Sequence, residues 1–433
     1  MSMMKKLAIV AIVILVYGSV MAQQLGIMSL DSCLRYAYQH NLTVKNAMLN
    51  TDLAEVNYNK SRFSFTPSLN ASASETFSFE NGASANGNYG ISGNWTLFSG
   101  GSRLLYVNRS MAGIAQSEYQ LQQSWNNIAT QIIQAYLTIL MNRERLGYQQ
   151  EVLKTTAEQK GEGELKYKVG RILESDYQLL EANYESAVTE IANTELVIAS
   201  NMLSLRTLLA APDSMLFDVI GANDSLLSSS YSLLPLETVL RGSAAHMPDY
   251  FLNSLNVKMA EYDVAIAKSA YLPSLSMNAG ASYYGGNSGA VDANGNIVTT
   301  NGINPNIGLS LNIPIFNQGA TKTQVVQSKI NLQQAQIQQE QNSYELNQMV
   351  TEQYYQAQQA LNTFAASERM KDAYANSYSV YVTKFKAGAV TAVDMLLQQN
   401  QYLNALNTYL QNKYSFIMAS KILDIYMGHE ISL

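Results

Sequence analysis

The sequence predicts a mainly α-helical protein that also contributes β-strands to a membrane, and three patterns indicate this fold class. The chain contains two copies of one long unit. It carries apolar residues at intervals of seven over long stretches, and it has two pairs of segments in which apolar residues alternate with small polar ones. Its 27 basic and 33 acidic residues give a net charge of −6 and form no basic cluster. This balance argues against nucleic acid as a partner, because nucleic-acid binding needs a concentrated basic patch.

The N-terminal segment has the pattern of a secretory signal peptide. Lys5 and Lys6 precede the apolar run from Leu7 to Val16, and Ala22 offers a small residue for cleavage. Residues 1–22 are therefore predicted to be a signal peptide, and the protein is predicted to leave the cytoplasm. No later segment is apolar enough to predict a transmembrane helix.

The internal duplication is visible as two offsets. Residues 29–35, SLDSCLR, match residues 235–241, PLETVLR, at an offset of 206 positions, whereas Gly170 matches Gly388 at an offset of 218. The difference of 12 positions predicts an insertion in the Gly/Asn-rich tract 285–304, which is expected to form a long loop. The predicted organisation is a signal peptide 1–22, a first repeat 23–210, a linking segment 211–234, a second repeat 235–428 and a tail 429–433.

Each repeat is predicted to carry one β-hairpin, at about 67–98 and 273–316. The period-two pattern gives every strand an apolar face and a face of Ser, Asn and Gly. A soluble sandwich would place charged residues on the second face, so the apolar face is predicted to contact lipid and the polar face a wet lumen. The predicted lipid-facing positions are Leu69, Phe77, Phe79, Tyr89, Ile91, Trp95, Leu97, Leu275, Met277, Tyr283, Ile307, Leu309, Leu311 and Ile313.

Four such strands cannot form a barrel alone. Backbone groups in lipid must all be hydrogen-bonded, so a membrane sheet must close, and known barrels need about eight strands. The chain is therefore predicted to share its barrel with other copies of itself.

The remaining segments are predicted to be long helices packed as coiled coils, because apolar residues recur every seven positions. No proline interrupts residues 101–160, so this helix could reach ~90 Å at 1.5 Å per residue. The heptad positions are Trp125, Ile132, Ile139, Leu146 and Leu153, then Tyr177, Tyr184, Ile191, Ile198 and Leu205, and in the second repeat Met395, Tyr402, Tyr409, Phe416 and Leu423.

Taken together, these features resemble the outer-membrane efflux proteins of the TolC-like type over essentially the whole chain after the signal peptide. The shared motifs are the duplication, a Pro-Ser-Leu that opens each hairpin, Phe-Ser-Gly-Gly at 98–101, and a glycine six residues before an aspartate in each repeat. The resemblance implies a homotrimer with a twelve-stranded barrel and a helical tunnel through the periplasm. It also implies an adaptor and an inner-membrane pump or exporter as partners. A pump-independent porin and a soluble coiled-coil protein are the competing interpretations.

The glycines predict a helix–helix turn in each repeat, and the resemblance implies that these turns dock the adaptor. The predicted docking positions are Val169, Gly170, Arg171, Ala387, Gly388 and Ala389. Asp176 and Asp394 are helix-start acids, which the helix dipole favours, and the resemblance places Asp394 at the tunnel entrance. A second acid of the family is replaced by Leu397, an arginine by Val390 and a latch tyrosine by Phe385, so a more hydrophobic constriction is expected.

No constellation for catalysis is found, and neither an enzyme activity nor a cofactor or metal is predicted. His40 and His246 are repeat mates near the ends of short helices, where a contact with the helix C terminus is expected. The single cysteine, Cys33, is expected to pack as a small apolar residue. The exported cargo is not encoded in any recognisable motif.

Overall fold

The computed structural model describes residues 26–79, 84–220, 233–291 and 297–429. The predicted signal peptide, half of the linking segment (residues 221–232) and the last four residues of the tail lie outside the described residues. None of the described helices is both long and apolar enough to cross a membrane.

The helices occur in the same order in both repeats. Each repeat has a helix of 11 residues, one of 22, one of 67 and a last one of 36 or 35 residues, so the duplication predicted from the sequence is present in the fold. The helices are α1 Leu30–His40, α2 Leu42–Phe63, α3 Ser102–Lys168, α4 Glu174–Leu209, α5 Leu236–His246, α6 Pro248–Ser269, α7 Ala320–Lys386 and α8 Ala392–Tyr426.

The strands form two sheets. β1 Gly26–Met28 pairs in parallel with β4 Phe217–Val219, which lies in the predicted linking segment. The larger sheet is antiparallel with the order β2-β3-β5-β6, so β2 and β6 are its edges. Its strands are β2 Ser68–Ser78, β3 Ser84–Ser99, β5 Ser274–Val291 and β6 Ile297–Asn312.

The prediction of a long loop at 285–304 was wrong. Most of this tract continues the second hairpin as paired strand, with Gly285 opposite Asn301 and Val291 opposite Ile297. The alternation that identifies strands disappears here because Gly, Asn and Ser occupy both faces. The ladder itself depends only on backbone groups, which these residues possess.

Three positions predicted to lie in regular strands differ in the structure. Phe79 and Ile313 lie one residue beyond the ends of β2 and β6, and Ile313 precedes Pro314, which has no N–H for the ladder. A bulge interrupts β3 at Leu97, so that Phe98 rather than Leu97 is paired with Leu275. An extra residue in a bulge shifts the alternation by one, which a strict period-two pattern does not anticipate.

The chain divides into two compact units, and α2, α3 and α7 each contribute several residues to both. Within the described residues, the first unit comprises 26–47, 121–220, 233–248 and 344–429, and the second comprises 48–79, 84–120, 249–291 and 297–343.

The unit with the larger sheet is held together by contacts between α2, α3 and α6 at the helix–strand junctions. Arg109 forms a two-pronged ion pair with Asp263, at 2.6 and 3.2 Å, and Arg103 donates to the carbonyls of Ser64 and Leu97. Gly100 has a positive φ of 61°, and a Cβ there would lie 2.4 Å from the Ser269 carbonyl oxygen. Only glycine fits this junction, because both the backbone angle and the space exclude a side chain.

The other unit contains the predicted heptad core. Ile132, Ile139, Met395, Tyr409 and Leu423 are buried, and none of the other heptad positions is exposed. The helical packing predicted from the seven-residue spacing is therefore confirmed in this unit.

An ion pair is also buried in this helical unit. Lys413 of α8 binds both carboxylate oxygens of Glu144 in α3, at 2.9 and 2.8 Å, and the Tyr414 hydroxyl donates to the same carboxylate at 2.9 Å. The Lys413 side chain is 8% exposed. Lysine is rarely buried unless it is paired, and here the carboxylate compensates its charge.

Candidate functional site

The two helix–helix turns have the same backbone. Gly170 and Gly388 have φ of 69° and 75°. In each turn the glycine N–H donates to a carbonyl three residues back, and the next N–H donates to a carbonyl five residues back. In the first turn Gly170 donates to Tyr167 and Arg171 to Lys166. In the second turn Gly388 donates to Phe385 and Ala389 to Lys384. This is the Schellman end of a helix, which requires a left-handed residue. The predicted role of both glycines as turn formers is confirmed.

Each turn carries a lysine side chain that forms an ion pair. Lys168 pairs with Glu164 at 2.7 Å, and Lys386 pairs across the turns with Glu162 at 3.5 Å. The nearby Lys168 ammonium lowers the pKa of Glu164 by hydrogen bonding and charge. A cleft of about 710 Å³ lies between the turns. The predicted docking residues Val169, Gly170, Arg171, Ala387, Gly388 and Ala389 are all exposed.

The aspartates that follow the turns have different surroundings. Asp394 forms a capping box with Thr391: its carboxylate accepts from the Thr391 N–H at 3.2 Å and hydroxyl at 2.6 Å, while the Asp394 N–H donates to that hydroxyl. These hydrogen bonds lower the pKa of Asp394. In the first repeat Leu173 occupies the cap position and offers no side-chain hydrogen bond. Asp176 is therefore a first-turn acid without a capping partner at that position.

Apolar packing surrounds the second turn. Phe385 is buried in a cluster with Leu180, Met395 and other apolar residues, and Val390 packs against it. The side chains of Phe385 and Val390 thus contact the interior of this chain. Leu397 differs, because it is 55% exposed.

A buried polar layer joins four long helices near the turns, and the heptad pattern did not predict it. Gln159 of α3 donates to the Tyr378 hydroxyl of α7 at 2.9 Å, and that hydroxyl donates to Gln399 of α8 at 3.4 Å. Asn183 of α4 donates to the same Gln399 oxygen at 3.4 Å. Burial raises the pKa of Tyr378 and keeps its hydroxyl protonated as a donor. The only sequence signal is a set of polar residues at positions where the helices meet.

The larger sheet exposes its apolar face in the single chain. Leu69, Ile91, Ile307, Leu309 and Leu311 are all exposed there. The sequence reasoning overlooked one acid on this face: Glu75, which takes the place of an apolar residue between Ala73 and Phe77 of β2 and accepts a hydrogen bond from the Tyr89 hydroxyl. Tyr89 in turn lies 6.4 Å from Tyr283, measured between ring centroids.

The remaining candidate residues have structural contacts. Nδ1 of His40 lies 3.0 Å from the Tyr36 carbonyl, and Nδ1 of His246 lies 3.0 Å from that of Gly242, which confirms the expected helix-end contacts. Cys33 is fully buried, as expected, and burial raises its pKa to about 12. Among the described residues no group of three His, Cys, Asp or Glu could hold a metal ion.

A family model for outer membrane efflux proteins matches residues 34–211 and again residues 252–429. The chain belongs to the outer membrane efflux protein family. The two matches begin 218 positions apart, the same offset that separates Gly170 from Gly388.

Similar proteins share this architecture over nearly the full chain. Outer membrane efflux protein BepC of Brucella suis biovar 1 (strain 1330) is 22% identical over 424 residues, which cover 95% of this chain and 88% of BepC. The structure of CusC matches with a TM-score of 0.76 at 18% identity, covering 94% of this chain and 95% of CusC. That of the outer membrane protein VceC from Vibrio cholerae matches with a TM-score of 0.71 at 17% identity, covering 92% and 96%. These structural likenesses establish the fold.

Proposed function

We propose that this chain is one subunit of a homotrimeric channel-tunnel that crosses the outer membrane and extends into the periplasm. It acts as the passive exit duct of a tripartite efflux or type I secretion system. Small molecules or polypeptides reach it from an inner-membrane pump through a periplasmic adaptor. Membership of the outer membrane efflux protein family supports this function, and three features of the chain support the assembly.

The observation that carries the proposal is the open sheet. Within the described residues β2 and β6 each have one strand neighbour, and the apolar face of the sheet is exposed. A lipid-facing edge is too costly to leave unpaired, because each unsatisfied backbone group in hydrocarbon costs several kcal/mol. Four strands are too few to close, whereas three copies supply twelve. Edge β2 of one copy then pairs with edge β6 of the next.

The two turns support docking of the adaptor. They follow the C-terminal ends of helices of 67 residues, which begin three and eight residues after the last strand residues, Ser99 and Asn312. Val169 and Arg171 are exposed, and at Gly170 and Gly388 no atom apart from those of the adjacent residues lies within 4 Å of the place where a Cβ would lie. A partner can therefore approach the backbone closely at these glycines.

Asp176, Asp394 and Leu397 are proposed to line the periplasmic entrance. Threefold symmetry repeats Asp394 around the axis as an acidic ring, and an exposed Leu397 lies one turn further along the same helix. Single-channel recording with divalent cations tests the ring: Asp394→Asn is expected to weaken cation block, and unchanged block would reject the assignment.

An export assay tests the proposed function. In cells that lack the gene, the wild-type chain is expected to restore export, and Gly170→Arg or Gly388→Arg is expected to abolish it while trimers persist in the outer membrane. Gly319→Arg is the matched control, because Gly319 also has a positive φ, of 81°, and open space around it but lies directly before α7 rather than in a helix–helix turn. Normal export by the Gly170 and Gly388 variants would overturn docking at the turns.

A pump-independent porin is the competing function. A porin has no use for long helices and two exposed turns beyond the membrane. If both turn variants keep full passive permeability and the wild type restores no pump-dependent export, the porin interpretation holds.

A further inference from the structure

Lys166, in the last turn of α3, binds the second turn rather than its own helix. Its Nζ atom lies 2.7 Å from the carbonyl oxygen of Phe385 and 3.3 Å from that of Lys386. The same ammonium sits 4.4 Å from the centroid of the Phe385 ring. One side chain of the first repeat thus makes three contacts with residues about 220 positions later.

The contact satisfies a carbonyl that the second turn leaves open. The last carbonyls of a helix have no intrahelical donor and need a partner. The Schellman turn supplies N–H donors to Lys384 and Phe385, but it supplies none to Lys386. A lysine ammonium has three donors and carries the charge that the negative end of the helix dipole favours. Lys166 therefore caps α7 from outside that helix.

The other lysines of the turns do not do this. Lys168 and Lys386 form ion pairs with Glu164 and Glu162. Lys384, which is the repeat mate of Lys166, lies 5.3 Å from the ring of Tyr381 in its own helix. Among the described residues Lys166 has no acid within ion-pair distance. Its ammonium is thus held by carbonyl oxygens and an aromatic face alone.

We propose that Lys166 is a positioning residue that fixes the second turn against the first, so that both are presented as one rigid surface. The arrangement is asymmetric, because of the repeat mates Lys166 and Lys384 only Lys166 contacts the backbone of the other turn. The assignment of this surface to adaptor docking rests on the proposed function, whereas the positioning role is measurable without any partner.

Hydrogen exchange of the purified full-length protein measures this role at backbone level. Lys166→Met is expected to speed amide exchange in residues 383–389 by roughly tenfold, since a hydrogen bond to a charged group is lost there. Exchange in residues 120–140 should not change. Lys384→Met is the matched control, and it is expected to leave exchange in both turns at the wild-type rate.

Chemical rescue separates the ammonium from general packing. Cys33 is buried, so in Lys166→Cys the new thiol is the accessible site for alkylation. Aminoethylation restores an ammonium at almost the original length and is expected to restore slow exchange, whereas carbamidomethylation is not. Equal exchange after the two treatments, or wild-type exchange in Lys166→Met, would overturn the positioning role. Neither result depends on export, so failure here is distinct from failure of the proposed function.

Discussion

The two repeats build the same helix pair, but the last helix of the second is much more deeply buried. Four residues of α4 are buried in the single chain, whereas fourteen residues of α8 are. Apolar residues of α4 such as Leu196 and Leu203 are exposed instead. The two repeats therefore share the backbone of the helix pair, whereas the burial of the last helix differs between them. The second repeat supplies the interior of the subunit, and we expect the exposed apolar face of the first to meet a neighbouring copy.

The largest expected effect tests the interior of the second repeat. Glu144→Gln leaves Lys413 buried without a counter-charge, and breaking a buried pair in this way is expected to cost on the order of 3 kcal/mol. Circular dichroism during heating should show a lower melting temperature. The control is Glu195→Gln, because exposed Glu195 is the repeat mate of Lys413 and is expected to change little. Equal melting of the two variants would contradict the comparison.

A smaller effect is expected from one position that differs between the repeats. Tyr378 bonds to Gln159 and Gln399 in the buried layer, while its mate Lys160 pairs with Glu181 at 3.0 Å near the surface. Tyr378→Phe is expected to destabilise by about 1–2 kcal/mol because buried partners lose a hydrogen bond. Lys160→Met should cost less, since partly exposed pairs contribute little. Guanidinium unfolding measures the loss of stability in each variant. A larger loss in Lys160→Met than in Tyr378→Phe would contradict the prediction.

The helix caps predict one substitution that raises stability and one that lowers it. Thr391→Ala removes the side-chain cap of α8 and is expected to cost about 1 kcal/mol. Leu173→Thr places the same residue before Asp176 and is expected to stabilise α4 by building the capping box that the first repeat lacks. Hydrogen exchange in the first turn of each helix measures both changes. If Leu173→Thr speeds exchange, the two turns differ in more than the cap.

The smallest effect is a pH dependence. The pKa of Asp394 is lowered in the folded protein, so its contribution to stability is present above the ordinary carboxylate pKa and is lost as pH falls through the lowered folded value. The melting temperature of wild type minus that of Asp394→Asn should be positive at neutral pH and vanish in acid. A difference that stays constant in acid would argue against the capping box.

Regular features of this fold were predictable from the sequence, and specific side-chain contacts were not. The offset of 218 and the glycines predicted both turns, and the heptads predicted the packing, because each pattern reflects a backbone period. The prediction of a loop at 285–304 was wrong because glycine and asparagine give no alternation of apolar and polar residues. The backbone hydrogen bonds between paired strands do not need that alternation. The role of Lys166 could not be predicted either. Its sequence context matches that of Lys384, and only the packed structure shows which of the two binds the backbone of the other turn.

The central claim is that three copies share one outer-membrane barrel, and the number of chains in the extracted complex tests it most directly. Native mass spectrometry of the protein extracted with detergent from outer membranes counts those chains without any partner. The account predicts three copies, because three four-stranded sheets supply the twelve strands that pair every edge. A stable single chain in the outer membrane would contradict it, since β2 and β6 would then face lipid unpaired.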